Sequence, residues 1–553
     1  MTLAANPPAA SGNTPAWRRV LPLPPGGAVE SALLLLLACC ISLGQGQDRN
    51  WDLLNYHLYN AFSFVDGRFA HDLYPVGIQT YFSPLLDVPY YLLAVQLLPG
   101  LPRVVACLAG VPFGLLIVVV LRIARIALPA ATPAEAWLAP IATAIGVSGT
   151  ATWSEIGTTY GDIQVSALAL AGLLAPLSLL PRRATMRRGA WNRAMLVAGV
   201  LIGCAAGLKP TACILAPGAL VALTLTAGGT RRAWTGAVVF CFGWAAGFAL
   251  VYGWWGWLLY RRFGNPLFPL FNHVFASPWV PTDNGSDTRF MPRDAVQALF
   301  YPFFWLRGRA FVVAEVEVRD PRFALAYVAI AALAIGGLVR RVPGAHRRAG
   351  VTPQPVAVAI CIFVAVSYVA WEVLFSILRY ALGLEVLTGI IIILGLRAAV
   401  ASGPAADFAA RRLPVACAIV LVALVAVSSR PGWGRLRHYG TSVFDIHAPA
   451  IPDDATIILA AKPIGFAAPF LRGKDIAFVG IAEVPRAGLL RDEILRRVRH
   501  AAPALVLIDK PPAYYAALLR SYGRQIDPAA CQPVGNEFDR GLTLCGTRLA
   551  DGA

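Results

Sequence analysis

The stretch "GQGQDRNWDLLNYHLYNAFSFVDGRF" places Asp48, Asp52, Asp66, two tyrosines and His57 directly behind a run of leucines and alanines. A carboxylate beside an acceptor hydroxyl is a proton acceptor. An aspartate so close to an apolar segment also carries a desolvation cost that calls for a partner or a task. Three further stretches bring related groups to the ends of apolar segments. "SEIGTTYGD" carries Glu155 and Asp162, "GLKPT" sets Lys209 within a hydrophobic stretch, and "SILRYALGLE" groups Arg379, Tyr380 and Glu385. Cations at that depth suit an anionic group, most naturally a phosphate. For a single aspartate, helix capping is the plain alternative. The constellation favours chemistry.

The elements that must position these groups are membrane spans. The chain of 553 residues is 57% hydrophobic and only 14% charged, the composition of a polytopic helical protein. About 20 apolar residues cross a bilayer, and by that rule the sequence threads as roughly eleven helices. The first covers about 29–47, and the last ends near 428. Residues 48–101 and 258–322 form long loops on one side. Within the first loop, "TYFSPLLDVPYYLLAVQLLPG" is interrupted by Pro84, Asp87 and Pro89, which predicts a helix lying along the membrane surface. At helical spacing, Leu54, Leu58, Ala61, Phe62 and Val65 form one stripe, and Asp52, Tyr56, Tyr59 and Ser63 another. This predicts a surface helix with Asp52 and Tyr56 turned away from lipid.

The net charge of +17 is distributed as a topology signal. Arg182, Arg183, Arg187, Arg188, Arg193, Arg231, Arg232, Arg340, Arg341, Arg347, Arg348, Arg411 and Arg412 lie in short loops on one side, almost without acids apart from Asp407. That is the positive-inside pattern of cytoplasmic loops, and it argues against a nucleic-acid partner. The N-terminal 1–28, Pro-rich and with Arg18 and Arg19, then lies in the cytoplasm, and the chain sits in a bacterial inner membrane. No CxxC, HExxH or P-loop pattern is present. "NGS" at Asn284 is a sequon of a kind common by chance.

From about 430 the composition changes. Short apolar runs ("ATIILAA", "DIAFVGI", "ALVLID") alternate with helical stretches ("LLRDEILRRVRHA", "PAYYAALLRSYGR"). This predicts a small α/β domain, 430–553, on the periplasmic side. Cys531 and Cys545 lie within it, where an oxidising compartment permits a disulfide; two free thiols are the alternative.

These features resemble the GT-C superfamily of polytopic glycosyltransferases, which use polyprenyl-phosphate-linked sugars. The shared marks are an aspartate in the first outer loop ("DLLNY"), an interfacial Pro-containing helix, and a second acidic site at Glu155 and Asp162. A Lys after "GL", "RY" entering a late span and a C-terminal α/β domain complete the set. The block "YRRFGNPLFPLFNHVFASP" with "DNGSDTRFMP" is similar to an outer loop of bacterial mannosyl- or arabinosyltransferase-like members. The resemblance implies an inverting transfer of a hexose or pentose from polyprenyl phosphate to a glycan, lipid or protein acceptor. It implies Asp52 as base, with Tyr56 following at DxxxY spacing, and Asp48 as the alternative aspartate. Glu155 or Asp162 would orient the acceptor or hold a metal. Lys209, Arg289 and Arg379 are the leaving-phosphate candidates, and Tyr56, His57, Tyr380 and Glu385 complete the substrate site. Some members use a divalent ion; the sequence names none. A lipid-linked glycan ligase or polymerase, and a transporter, are the competing readings.

Overall fold

In lipid a chain must close its backbone hydrogen bonds within itself, so apolar runs of sufficient length become helices. The computed structural model describes residues 27–282, 287–339, 354–401, 406–538 and 541–550. The N-terminal segment with Arg18 and Arg19, the Asn284 sequon, and Arg340, Arg341, Arg347 and Arg348 lie outside the described residues, as does the side chain of Asp407.

Among the described residues, seven helices are long and apolar enough to cross a membrane. They are Gly27–Gln45, Pro102–Ala127, Asp162–Arg182, Arg188–Leu208, Thr230–Phe263, Pro355–Leu374 and Leu378–Val400. Shorter apolar helices at Glu135–Val147, Pro210–Thr226 and Arg322–Gly337, with the helix Ala406–Val427, occupy the remaining expected positions. The stretch Val88–Leu97 is an apolar helix too short to span, as the interfacial reading requires. Three helices serve as reference points below: α1 (Gly27–Gln45), α2 (Leu58–Val65) and α3 (Thr150–Glu155).

Small residues set the closest helix contact. A methyl group at Gly199 would stand 2.3 Å from the Phe240 carbonyl oxygen, and one at Gly203 2.2 Å from that of Trp244. Helices 188–208 and 230–263 therefore pack backbone to backbone, the membrane use of small residues spaced by four. On the other side of the long helix Trp234, Val238, Phe242 and Leu250 are exposed, as a lipid-facing surface demands.

The C-terminal region is a five-stranded sheet, with strands named here in chain order through the whole molecule. A two-residue strand β1 (Gln47–Asp48) pairs antiparallel with β2 (Arg435–Leu436). A second small ladder joins β3 (Ile446–His447) to β8 (Gly535–Asn536). The main sheet holds β4 (Thr456–Leu459), β5 (Ala477–Gly480), β6 (Ala504–Ile508), β7 (Arg524–Pro533) and β9 (Thr543–Leu549), in the order β5-β4-β6-β9-β7. The first three are parallel, as their short apolar runs and intervening helices predict. The antiparallel β7 and β9 carry no comparable apolar run, and sequence reading missed them.

Packing groups the molecule differently from chain order. One apolar core fills the helical bundle. The other joins Leu53, Tyr59, Phe62 and Leu73 of the first outer loop with Ile457, Phe478 and Val506 of the sheet, and with Trp255 and Phe263 at the end of the long helix. The outer loop is thus part of the C-terminal core. Leu73 forms a parallel bridge with Val479 beside β5. Methyl groups at Gly465 and Gly480 would stand 2.1 Å from the Asn55 oxygen and 2.0 Å from the Tyr74 oxygen. This corrects the expected surface helix: both of its faces are buried, because the sheet covers the side turned from lipid.

Cys531 and Cys545 are partners in the β7–β9 register and are joined as a disulfide. Closing a loop of this size contributes about 3 kcal/mol in the chain-entropy model. Peptide mapping under non-reducing conditions is expected to recover the two peptides linked. Reduction is expected to lower the unfolding temperature of the C-terminal domain, and two freely alkylated thiols in protein from cells would contradict this.

Candidate active site

Asp52 precedes a π-helical turn, Leu53–His57, that runs on into α2. Such turns gather at functional sites, and their i→i+5 bonding brings Asp52 and His57 into register. The Asp52 carboxylate accepts a 2.7 Å hydrogen bond from Arg379 Nη1. Asp52 follows the first span, and Arg379 lies in the short helix Leu378–Ala381 that opens the penultimate one.

A second pair stands beside the first. Lys209, at the end of its helix, donates to Asp162 Oδ2 at 2.7 Å and to the Tyr160 carbonyl at 2.9 Å. Two aromatic rings join the pairs. The Arg379 guanidinium carbon is 4.8 Å from the Tyr160 ring centre and 5.2 Å from that of Tyr380. Lys209 Nζ is 5.3 Å from the Tyr380 ring. Cations over aromatic faces are held in place without being neutralised. An anion reaches them only in competition with Asp52 and Asp162.

Glu155 ends α3 and is 1% exposed. Neither of its carboxylate oxygens has a hydrogen-bond partner among the described residues. Burial first, and then the Asp162 carboxylate, push its pKa well above the usual carboxylate range. Asp52 behaves oppositely. Burial alone would raise it, but Arg379, His57 and Lys209 outweigh burial and hold it below its ordinary value. The surroundings therefore favour the charged form of one carboxyl and the neutral form of the other. An acid and a base of one reaction are commonly set apart in this way.

The other expected residues divide between support and distance. Asp48 accepts from the Thr159 backbone N–H at 2.8 Å and from its hydroxyl at 3.0 Å, and it also bonds Asn50; it fixes the turn before Asp162. Glu385 accepts from the N–H groups of Ala151 and Thr152 at 3.1 and 2.8 Å, so it caps α3 from a neighbouring helix. Tyr56 packs on the His57 ring with centres 4.2 Å apart. Arg289 lies on an exposed loop with Asp287 and Glu315 as ion-pair partners, and its contacts do not include the cluster.

Sequence reading missed three components. Tyr160 stood in plain view in "TTYGD". Asp87, read only as a break in a helix, lies 2.6 Å from His57 Nδ1, and both side chains are buried. Arg322 is fully buried, pairs with Asp320 at 2.8 Å, and donates to the carbonyls of Ile145 and Ser148. No local pattern marks it. Among the described residues, no group of three or more His, Cys, Asp or Glu side chains is placed to share a metal ion. The carboxylates of Asp52 and Asp162 are paired with Arg379 and Lys209.

The arrangement of a helical bundle with a docked α/β domain is shared with a known membrane-protein structure. The chain is similar in structure to ArnT from Cupriavidus metallidurans in the apo state, with a TM-score of 0.52 and 14% identity over 94% of this chain and 98% of that one. The same protein bound to undecaprenyl phosphate aligns with a TM-score of 0.42 and 16% identity, over 95% of this chain and 98% of that one. No protein-family model matches the chain, and no curated relative does.

A raised carboxyl pKa has a stability signature. The unfolded Glu ionises near pH 4.3, so the folded state is penalised progressively as pH rises above that value. Glu155→Gln removes the penalty. The variant is expected to match wild type near pH 4–5 and to unfold at a higher temperature at pH 8, measured by thermal scans in one detergent. A variant less stable than wild type at pH 8 would mean that Glu155 is charged and paired.

Proposed function

We propose that this protein is a membrane glycosyltransferase that moves a sugar from a polyprenyl-phosphate donor to an acceptor at the outer face of the bacterial inner membrane. The observation that supports it most is the pair of buried carboxylate–cation contacts, Asp52–Arg379 and Lys209–Asp162, around shared tyrosines. At rest the site is balanced in charge. An entering phosphate competes for Arg379 and Lys209, which frees the Asp52 carboxylate to take the proton of the acceptor hydroxyl. The same two cations stabilise the charge that develops on the departing phosphate. Attack from the face opposite the phosphate in one displacement inverts the anomeric centre. Asp162, released from Lys209, and the neutral Glu155 carboxyl offer hydrogen bonds that orient the acceptor.

In this reading the C-terminal domain is periplasmic and the Arg-rich loops are cytoplasmic. A cysteine introduced at position 66 is expected to react with an impermeant maleimide on intact spheroplasts, and one at 187 only after lysis. The reverse pattern would place the site on the wrong side for an outer-face enzyme.

The chemical test is transfer of radiolabelled sugar from a panel of polyprenyl-phosphate pentoses and hexoses to membrane-extract acceptors. Asp52→Asn keeps the shape and removes the proton acceptor, so the rate is expected to fall about 10²–10⁴-fold. Asp48→Asn is expected to cost less, because Asp48 holds a turn. Wild-type rates in monodisperse Asp52→Asn protein would remove Asp52 from the mechanism. Incorporation of many sugars per acceptor would favour a polymerase.

A further inference from the structure

Resting on the reading above, we infer that Arg435, on the strap between the last span and the C-terminal sheet, is a positioning residue for Glu155. Glu155 has a buried carboxylate with no hydrogen-bond partner among the described residues, so its side chain is aimed only by its own backbone. That backbone is held from both sides by one guanidinium. Arg435 Nη2 donates to the Ser154 carbonyl at 3.1 Å and to the Ile156 carbonyl in a shorter contact, bracketing Glu155. Both bonds leave one nitrogen of a rigid planar group, so their directions are fixed together; an ammonium on a flexible stem imposes no such plane.

Arg435 is the last of a run of contacts. Ser428 Oγ accepts from Arg322 Nη1 at 2.7 Å, and Arg322 also binds Ser148. The Thr150 hydroxyl donates to the Ser429 carbonyl at 3.0 Å. The Arg430 guanidinium carbon is 4.9 Å from the Trp153 ring centre, and the Trp433 ring meets Tyr160 edge-on at 6.0 Å. Residues 428–435 thus run alongside residues 148–160, tracking α3 and the turn that follows it. The strap then enters β2, where Arg435 is the register partner of Asp48, and Asp48 holds Thr159. The turn from Glu155 to Tyr160 is gripped at both ends by one two-stranded ladder. The ladder's second strand belongs to the C-terminal region. The domain therefore reaches the reaction centre through Arg435.

Arg435 also brings a charge to Glu155. The other charged groups facing that carboxyl are Asp162, Lys209, Arg379 and Glu385, each held by a partner other than Arg435. The α3 helix is likewise held independently, by Glu385 and by Asp320, which accepts from the Thr150 N–H at 2.9 Å.

Dicyclohexylcarbodiimide is a probe of protonated carboxyls in apolar surroundings and needs no substrate. Purified full-length protein is labelled across pH 5 to 9, and the label on Glu155 is quantified by peptide mass spectrometry. In Arg435→Met the labelling midpoint is expected to move to higher pH, since a nearby cation is lost while the carboxyl stays buried. In Arg435→Lys the midpoint is expected to stay near wild type, because the charge remains. Both variants are expected to show kcat at least tenfold down with donor KM within about twofold, because Met has no donor and Lys, on a flexible stem, does not hold the two carbonyls in one fixed plane. An unchanged midpoint in Arg435→Met, a shift to lower pH, or a wild-type kcat in either variant would overturn the inference. So would a wild-type Glu155 that takes no label at any pH. Should Arg435→Met not be monodisperse, Arg435→Gln replaces it. A wild-type protein without transferase activity would sink the functional reading alone, since the labelling midpoint is read without turnover.

Discussion

The ion pair between Asp52 and Arg379 is the contact on which the arrangement depends. The two residues are 327 positions apart, and the contact is 2.7 Å. Arg379 is half-buried beside the more deeply set Asp52, so losing either leaves the other uncompensated, at a cost below the roughly 3–5 kcal/mol of a fully buried pair. The outer loop after the first span is therefore tied to the start of the penultimate one. Lys209–Asp162 and Arg322–Asp320 repeat the device at neighbouring helix ends. Three such pairs on the side of the bundle that carries the C-terminal sheet give it a charged, mutually neutral end. An anionic ligand can exchange with that end without stripping it of counter-charges.

The second constraint is the docking of the sheet. Open α/β sheets usually receive ligands outside the carboxyl ends of their parallel strands. Here the ends of β4 and β5 are occupied by the protein's own outer loop, with Gly465 and Gly480 against the backbone of Asn55 and Tyr74. The C-terminal domain thus serves as a scaffold. It buries the π-turn behind Asp52, and it leaves the carboxylate itself facing the cations from the bundle. Burial on one side and charge on the other keep Asp52 ionised. Glu155, which gained the burial without a hydrogen-bond partner among the described residues, has its pKa pushed well above the usual carboxylate range.

How much of this was legible depended on whether a signal was local. Span positions, the short interfacial helix and the β4–β6 core of the sheet follow from runs of apolar residues, because lipid and a sheet interior impose length and composition on each segment separately. The strands β7 and β9 have no such run, since their outer faces are solvated, and they went unseen. Asp52, Glu155, Asp162, Lys209, Arg379 and Tyr380 were legible as candidates because a charge in an apolar context is rare in any one segment. Arg289 was a candidate through the resemblance alone, and it stands on an exposed loop with its own carboxylates. Asp48, carried as the alternative aspartate of the resemblance, and Glu385 have oxygens spent on backbone N–H groups.

What the sequence by itself determined, then, is that this chain is a polytopic helical membrane protein, that a small α/β region follows its helices, and which charged residues need a partner. Which partner each one takes was decided only in three dimensions. Asp52 with Arg379, His57 with Asp87, and Arg435 with the carbonyls around Glu155 each join segments separated by tens to hundreds of residues. Desolvation acts on every residue where it sits and leaves a local mark in composition. Pairing depends on which segments the packing brings within about 3 Å, and no single segment records that.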